Sequence, residues 1–98
     1  MTTLKNFIDG KFVDNASNQT MSFENPAIGE KYGTAPLSRE VDVDNAFKAA
    51  SRAFDSWKRT SPAERSLALF RIAESMEARA EEIIAAEIQN TGKPLWWM

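Results

Sequence analysis

Three short groups of residues have types and spacings that could support chemistry. The first, Thr91-Gly92-Lys93, looks like the end of a phosphate-binding loop. Such a loop also needs a glycine where Glu87 stands and a Ser or Thr where Pro94 stands. Without those residues the backbone amides cannot converge on a phosphate. We therefore expect this segment to end a helix, with the glycine at its terminus and the proline beyond it.

The other two groups are carboxylate pairs, Asp42 with Asp44 and Glu81 with Glu82. General acid–base catalysis by two carboxyl groups would require both members of a pair on one helix face, where neighbours are three or four residues apart. These spacings are shorter, so we interpret the four residues as helix-start charges and solvated surface. No loop gathers the six or more oxygen ligands that calcium requires, and we expect no metal site.

The composition excludes further classes of site. The 98 residues include no Cys and no His, so the chain has no thiol nucleophile, no thiolate metal ligand and no imidazole base. Twelve basic and fourteen acidic residues give a net charge of −2, which disfavours nucleic acid and a membrane surface as partners. No apolar stretch of signal-peptide or membrane-spanning length is present, which predicts a cytoplasmic protein. We assign no catalytic, cofactor-binding or metal-ligating residue.

The elements that would position any site begin with strands and loops over residues 1–37. Asp9-Gly10 separates two short apolar pairs and predicts a tight type I′ hairpin. Alternating residues predict a second strand in 20–25, and a third is expected from Tyr32 to Ala35. Pro26 and Gly29 supply the turn between these two strands.

Residues 38–94 are predicted to form two or three helices, because the apolar period changes from two to about 3.6. The second helix begins at a capping box, Ser61-Pro62-Ala63-Glu64, and the third ends at Gly92. The weak pattern over 78–80 leaves open whether these two are one bent helix. We expect the helices to pack on each other and on the hairpin, in an α+β arrangement.

Two apolar stripes mark these helices. The aromatic residues Phe47, Phe54, Trp57 and Phe70 are predicted to pack in the core. The stripe of the first helix consists of Val43, Phe47, Ala50, Phe54 and Trp57. The second helix has a stripe wider than one neighbouring helix would cover, formed by Leu69, Ile72, Ala73 and Met76 and extended sideways by Leu67 and Phe70.

Residues 95–98, Leu-Trp-Trp-Met, form an atypical tail after the predicted helix stop. An apolar tail of this kind indicates a contact surface or a place where protein is missing. One hypothesis is a homodimer through the second helix and Leu95, Trp96 and Trp97. The alternative is a tail whose tryptophans lie on their own helix.

Five segments in order carry a resemblance to a known family: FIDGKFV, ENPAIGE, DVDNAFKAASRAFDSW, PAERSLALFRIAESMEARAEEI and QNTGKP. Together they resemble the N-terminal segment of the NAD(P)-dependent aldehyde dehydrogenases, from Phe7 to Pro94. Within that family, the sequences of these segments look most like those of the bacterial aminobutyraldehyde and betaine aldehyde branch. The resemblance implies that residues 1–98 are a truncated N-terminal segment of the nucleotide-binding domain in the α/β fold of that family.

The resemblance also implies what the full-length proteins do. Members oxidise aldehydes to carboxylates through a cysteine thiohemiacetal, hydride transfer to NAD or NADP and water activated by a glutamate, and they form homo-oligomers. All those parts lie beyond this segment in the family, so the chain alone is expected to bind no cofactor and to be inactive. Three hypotheses remain: a dehydrogenase fragment, a stand-alone α+β module that binds a protein or itself, and a subunit completed by a separate catalytic chain.

Overall fold

The structure is a computed structural model that describes residues 1–94. Five short strands precede three helices, which confirms the α+β class. In chain order the elements are β1 Thr2–Thr3, β2 Asn6–Ile8, β3 Lys11–Val13, β4 Thr20–Asn25, β5 Glu30–Pro36, α1 Glu40–Trp57, α2 Pro62–Ala78 and α3 Ala80–Thr91.

The described residues divide into two compact units. The first contains residues 1–24 and 31–59, and the second contains 25–30 and 60–94. In the first unit α1 contacts β2, and in the second α2 contacts α3. The expected packing of a helix on the hairpin is thus confirmed for α1.

The predicted hairpin is present. Asp9 and Gly10 have φ angles of 55° and 77°, the left-handed values that a type I′ turn requires. The strands β2 and β3 pair antiparallel, with Phe7 opposite Phe12 and ring centroids 5.1 Å apart. A turn at the position of Gly29, whose φ is 71°, connects β4 to β5 as predicted.

A three-stranded sheet has the order β1-β5-β4. Strand β1 is a feature that the sequence pattern did not predict, because two threonines show no alternation. It pairs parallel to β5, with Thr2 opposite Gly33, and Leu4 N donates to Thr34 O at 2.9 Å. Gly33 is buried between this strand and the ring of Phe23, which also meets Tyr32 edge to face.

Helix α2 begins as predicted. Ser61 Oγ accepts from Glu64 N at 3.1 Å, while Ser61 N donates to the Glu64 carboxylate at 3.0 Å. Arg79, at φ −114° and ψ 23°, interrupts the helical backbone and separates α2 from α3. The structure therefore resolves the ambiguity over residues 78–80 in favour of two helices.

Candidate functional site

The Thr91-Gly92-Lys93 segment forms a helix terminus. Gly92 has a φ of 73° and its N–H donates to Ile88 O at 2.8 Å, which closes the last turn of α3. Thr91 Oγ1 donates to Glu87 O at 2.7 Å and accepts from Lys93 N at 3.3 Å. The hydroxyl and the amides are thus used in capping, as a left-handed C-terminal residue predicts.

Asp42 lies at the start of α1 but is not solvated, contrary to the prediction. Its side chain is 6% exposed, and its two carboxylate oxygens accept from Ala16 N and Arg39 N, each at 2.9 Å. The carboxylate therefore joins the loop after β3 to the first turn of the helix. Its charge is balanced by two backbone dipoles and by the positive end of α1. Asp44 is exposed and does not share this role.

Asn15 completes this buried polar cluster, and the sequence analysis did not single it out. The residue is 5% exposed, and its amide donates to the carbonyl oxygens of Gln19 and Leu37, each at 3.0 Å. Polar side chains are rarely buried unless they make such bonds. In the sequence, Asn15 is one Asn in a polar loop. Such residues are too common to indicate that this one is buried.

The second carboxylate pair is divided between different environments. Glu82 accepts from Arg79 at 2.9 and 2.5 Å, and these bonds together with the guanidinium charge lower the pKa of Glu82. The same bonds and the carboxylate charge raise the pKa of Arg79. Both side chains are about two-thirds exposed, so the pair orders the α2–α3 junction without making a buried site.

Within residues 1–94, no three acidic side chains lie close enough together to hold a metal ion. None of the helices in that part of the chain is both long and apolar enough to cross a membrane. The feature that remains is an apolar surface on α1 and α2.

The aromatic residues predicted to form the core are exposed, so that prediction is wrong. Phe47 is 70% exposed, Phe54 58% and Phe70 67%, and Trp57 is also accessible. The apolar period correctly placed the α1 residues on one face, but a period does not tell what covers that face. Among the described residues, the one buried apolar side chain is Ala49, at 8%.

Helix α1 contacts strand β2 of the hairpin, and the small Ala49 on that side of the helix is buried. Ala46, Ala49 and Ala53 recur at three- and four-residue spacing and border a shallow depression with Phe7 and Ile8. Small residues allow a close approach, and the bulkier aromatic stripe then lies on a different face of the helix. Ala49 alone of the three is buried, so the alanine face is covered only in part within its own unit, and the aromatic face is left accessible.

Helix α2 exposes its whole stripe. No residue of this helix is buried in the structure, and each bulky member of the stripe is at least half exposed. These residues cover well over half of the helix circumference at 100° per residue. The exposed members are Leu67, Leu69, Phe70, Ile72 and Met76.

The accessible surface area of the chain can be compared with that of a typical folded monomer of the same mass. The chain exposes 7983 Å², whereas a folded monomer of its mass typically exposes about 5,600 Å². The excess is thus about 2,400 Å², more than one partner contributes to an ordinary protein–protein interface, which is about 800 Å². This excess is total accessible surface, and the exposed apolar side chains of α1 and α2 contribute to it, as is typical of a segment that packs against other protein.

The sequence matches the model of the aldehyde dehydrogenase family over residues 12–98. One relative, aldehyde dehydrogenase 1 of Tanacetum cinerariifolium, is 44% identical over 92 residues. That alignment covers 92% of this chain and 18% of the relative.

Solved structures of this family match the fold. The NAD-dependent aldehyde dehydrogenase of Sinorhizobium meliloti is 40% identical, with a TM-score of 0.89, over 96% of this chain and 19% of that one. PnpE in complex with nicotinamide adenine dinucleotide is 35% identical, with a TM-score of 0.91, over 94% of this chain and 19% of that one.

The chain spans about a fifth of the length of these relatives. The buried polar cluster and the hairpin order its first unit, and the helix caps delimit α2 and α3 in its second, while apolar side chains of α1 and α2 stay uncovered. The sequence match and the structural match agree on one origin for the chain, which belongs to the aldehyde dehydrogenase family.

Proposed function

We propose that residues 1–98 serve as the N-terminal segment of the nucleotide-binding domain in an NAD(P)+-dependent aldehyde dehydrogenase. The observation that carries the proposal is the exposed stripe of α2, which spans well over half of the helix. A surface of that width is covered by a sheet or a large domain, not by one helix. The remainder of a dehydrogenase, about four times the length of this chain in the relatives, supplies such a body.

In this proposal the chain has a structural role in the reaction. The overall chemistry converts an aldehyde, NAD(P)+ and water into a carboxylate, NAD(P)H and protons. The nucleophilic thiol of that chemistry must come from elsewhere, because this sequence has no cysteine. We therefore expect the chain alone to produce no NADH from aldehydes and to bind no dinucleotide measurably.

The cofactor is proposed to be NAD rather than NADP. The two solved structures described above support this choice, since one is named as NAD-dependent and the other contains nicotinamide adenine dinucleotide. The aminobutyraldehyde or betaine aldehyde branch stays a prediction, because neither substrate appears in the names of those relatives. Cytoplasmic localisation and homo-oligomers of the whole enzyme also remain predictions. Assay of the assembled enzyme with both cofactors and both aldehydes would test these choices.

A chimeric enzyme tests the structural role. Residues 1–94 would replace the matching segment of the Sinorhizobium meliloti enzyme, with which they share 40% identity. We expect a soluble protein that oxidises aldehydes with NAD+. An insoluble or inactive chimera, beside an active parent enzyme prepared in the same way, would contradict the proposal.

Matched substitutions locate the covered face. Leu69→Ala lies on the α2 stripe, and Arg71→Ala lies about 160° around the same helix from Leu69, at 100° per residue. In the chimera, Leu69→Ala should cost about 2–5 kcal/mol, as for a buried leucine, while Arg71→Ala should cost little. In the isolated chain neither should have a large effect, because both side chains are exposed there. Equal effects of the two substitutions in the chimera would show that α2 is not covered through this stripe.

A further inference from the structure

The turn of the β2–β3 hairpin places a reactive dipeptide at an exposed position. Asp9 and Gly10 are its two central residues, and the Asp9 side chain is about two-thirds exposed. A backbone nitrogen attacks the carboxyl group of a preceding aspartate most readily when it belongs to a glycine, because no side chain then shields it. A Cβ placed on Gly10 would meet no described atom within 4 Å beyond its neighbours in sequence. The site is therefore open to this attack.

The chain has four other aspartates, Asp14, Asp42, Asp44 and Asp55. Each is followed by a residue with a side chain, and all but Asp14 lie in α1. In a helix the N–H of the following residue donates to a carbonyl oxygen, as Val43 N does to Arg39 O at 3.2 Å. Such a nitrogen is held in place by the helical backbone. Asp9 thus differs from the others in both its successor and its conformation.

The hairpin around the site has few interactions that keep it closed. Strands β2 and β3 have three residues each and form a sheet of their own. A two-stranded hairpin without further support is at best marginally stable in water. Helix α1 supports this one by contacting β2 and through Arg52, whose Nη2 lies 3.8 Å from Asp9 Oδ2. Both charged side chains are about two-thirds exposed, so the ion pair restrains the turn only weakly.

We propose that Asp9-Gly10 is a modification site, at which the chain converts spontaneously to isoaspartate. Gly10 N attacks Asp9 Cγ, and an N–Cγ bond forms while one carboxyl oxygen leaves as water, with the amide proton and the carboxyl proton. Water then opens the resulting succinimide ring. Breaking the new bond restores aspartate, whereas breaking the original peptide bond leaves the main chain running through Cγ and a free carboxylate at the former carbonyl.

This inference goes beyond the proposed function and does not depend on the catalytic remainder. The reactants are two adjacent residues and water, so no cofactor, oxidant or partner is needed. The total mass of the chain is unchanged, because the water that is lost in the first step is regained in the second.

Ring closure requires the hairpin to open first. The succinimide ring contains Gly10 N together with C, Cα, Cβ and Cγ of Asp9, so it fixes the rotation about the Asp9 Cα–C bond. That rotation differs from the one in a type I′ turn. The pairing of Ile8 with Lys11 across the turn must therefore be lost before the ring forms. The rate follows the fraction of chains in which the hairpin is open, and Arg52 reduces that fraction.

The product keeps the hairpin from closing again. Isoaspartate adds one carbon atom to the main chain within a two-residue turn, and the geometry of such a turn sets the register of its strands. The rings of Phe7 and Phe12, now 5.1 Å apart, lose their contact when the register is lost. The modification is thus an ageing step that loosens the first unit of the chain.

Peptide mapping of the full 98-residue chain, after several weeks at neutral pH, tests the inference. Trypsin releases Asp9 in residues 6–11 and the control, Asp55, in residues 53–58. Electron-transfer fragmentation distinguishes isoaspartate from aspartate in each peptide. We expect isoaspartate to accumulate in 6–11 while 53–58 retains aspartate. The inference would be wrong if both peptides changed equally, or if 6–11 stayed unchanged in the chain after the free synthetic peptide 6–11 had largely converted.

Two substitutions test the role of the structure. Arg52→Gln removes the ion pair and should accelerate the reaction by about twofold. Its matched control is Lys58→Gln, which removes an exposed ion pair with Asp55 on the same helix and should leave the rate at Asp9 unchanged. Equal rates in these two variants would contradict the restraint by Arg52.

Gly10→Asn tests the attacking nitrogen. Asparagine tolerates the left-handed conformation of the turn but places a side chain beside the nitrogen, so most of the isoaspartate should be lost. An undiminished yield would contradict the assignment of this nitrogen. Circular dichroism of each variant checks that its helix content is unchanged. None of these results bears on the chimera, so the two proposals fail separately.

Discussion

At the scale of single residues, close approach and buried polar contacts decide what the sequence can tolerate. Gly33 illustrates the first, because its backbone φ is ordinary and its need for glycine arises from its neighbours. A Cβ at this position would lie 2.3 Å from Phe23 Cζ and 2.6 Å from Thr2 O. Neither distance is possible for real atoms, so the ring or β1 would have to move.

We predict that Gly33→Ala destabilises the chain by about 1–3 kcal/mol, the range for overpacking a buried position. Amide hydrogen exchange in β1 and β5 would measure the change as a local opening free energy. Adding Phe23→Leu should recover part of the loss by removing the ring contact, while the contact with the Thr2 backbone persists. A Gly33→Ala variant as stable as the original chain would contradict this account.

Asp42 illustrates the second kind of constraint. Replacement by Asn would leave one of its two backbone donors, Ala16 N or Arg39 N, facing an amide NH₂ instead of an acceptor. An unsatisfied buried group costs about 1–3 kcal/mol. We expect Asp42→Asn to lower the local opening free energy at Ala16 and the first turn of α1 by that amount, as measured by amide hydrogen exchange.

The control for this prediction is Asp44→Asn, which makes the same chemical change two residues further along α1 at an exposed position. Its effect should stay within about 0.5 kcal/mol. Similar losses for the two variants would indicate that helix-dipole interactions, and not the two backbone hydrogen bonds, determine the effect of Asp42.

At the scale of elements, local chemistry determines where the helices begin and end. Short-range interactions between residues close in sequence produce three of these features. They are the capping box of Ser61 and Glu64, the left-handed Gly92 and the Asp9-Gly10 turn. The break at Arg79 is different, since no Gly or Pro marks it. There the Arg79–Glu82 ion pair spans the junction and holds the first turn of α3.

The ion pair makes the α2–α3 junction sensitive to acid. Because the folded pKa of Glu82 is lowered, its contribution to stability is present above the unfolded pKa of about 4.3 and is lost as pH falls through the lower, folded value. We predict that amide exchange over Ala80–Ile84 accelerates in this acidic range and stays level, after correction for intrinsic rates, from pH 5 to pH 8.

Arg79→Gln provides the control for this prediction. Carbon-detected NMR titration of the Glu82 carboxylate should give a higher pKa in the variant, because both the hydrogen bonds and the guanidinium charge are removed. Added salt should reduce the difference, since both side chains are largely exposed. A Glu82 pKa that is the same in both proteins would show that the ion pair does not form in solution.

At the scale of the whole molecule, the described residues have hydrogen-bonded elements but hardly any apolar core. Helices without tertiary burial are only marginally stable in water. We therefore predict that the isolated chain binds the dye ANS and unfolds over a broad temperature range, whereas the chimeric dehydrogenase binds little dye and unfolds cooperatively. Fluorescence and calorimetry would measure both properties. A sharp transition without dye binding in the isolated chain would contradict this expectation.

The sequence by itself determined the class of fold, the hairpin, the capping box and the end of α3, since these depend on residues that are close together in the chain. It also carried the family resemblance, which the match over residues 12–98 confirms. The aldehyde dehydrogenase branch remains a prediction, as does the homodimer through the second helix and Leu95, Trp96 and Trp97, of which these last three residues lie outside the described part of the chain.

Only the tertiary structure decided which apolar residues are covered and which polar ones are buried. Phe47 and Phe70 looked like core residues because periodicity reports a shared face, while burial depends on partners that are distant in sequence or absent from this segment. Asn15 and Asp42 looked like surface residues because their hydrogen-bond partners are up to 26 residues away. The parallel pairing of β1 with β5 is likewise non-local, since it joins strands about thirty residues apart, and no pattern within Thr2–Thr3 could have indicated it.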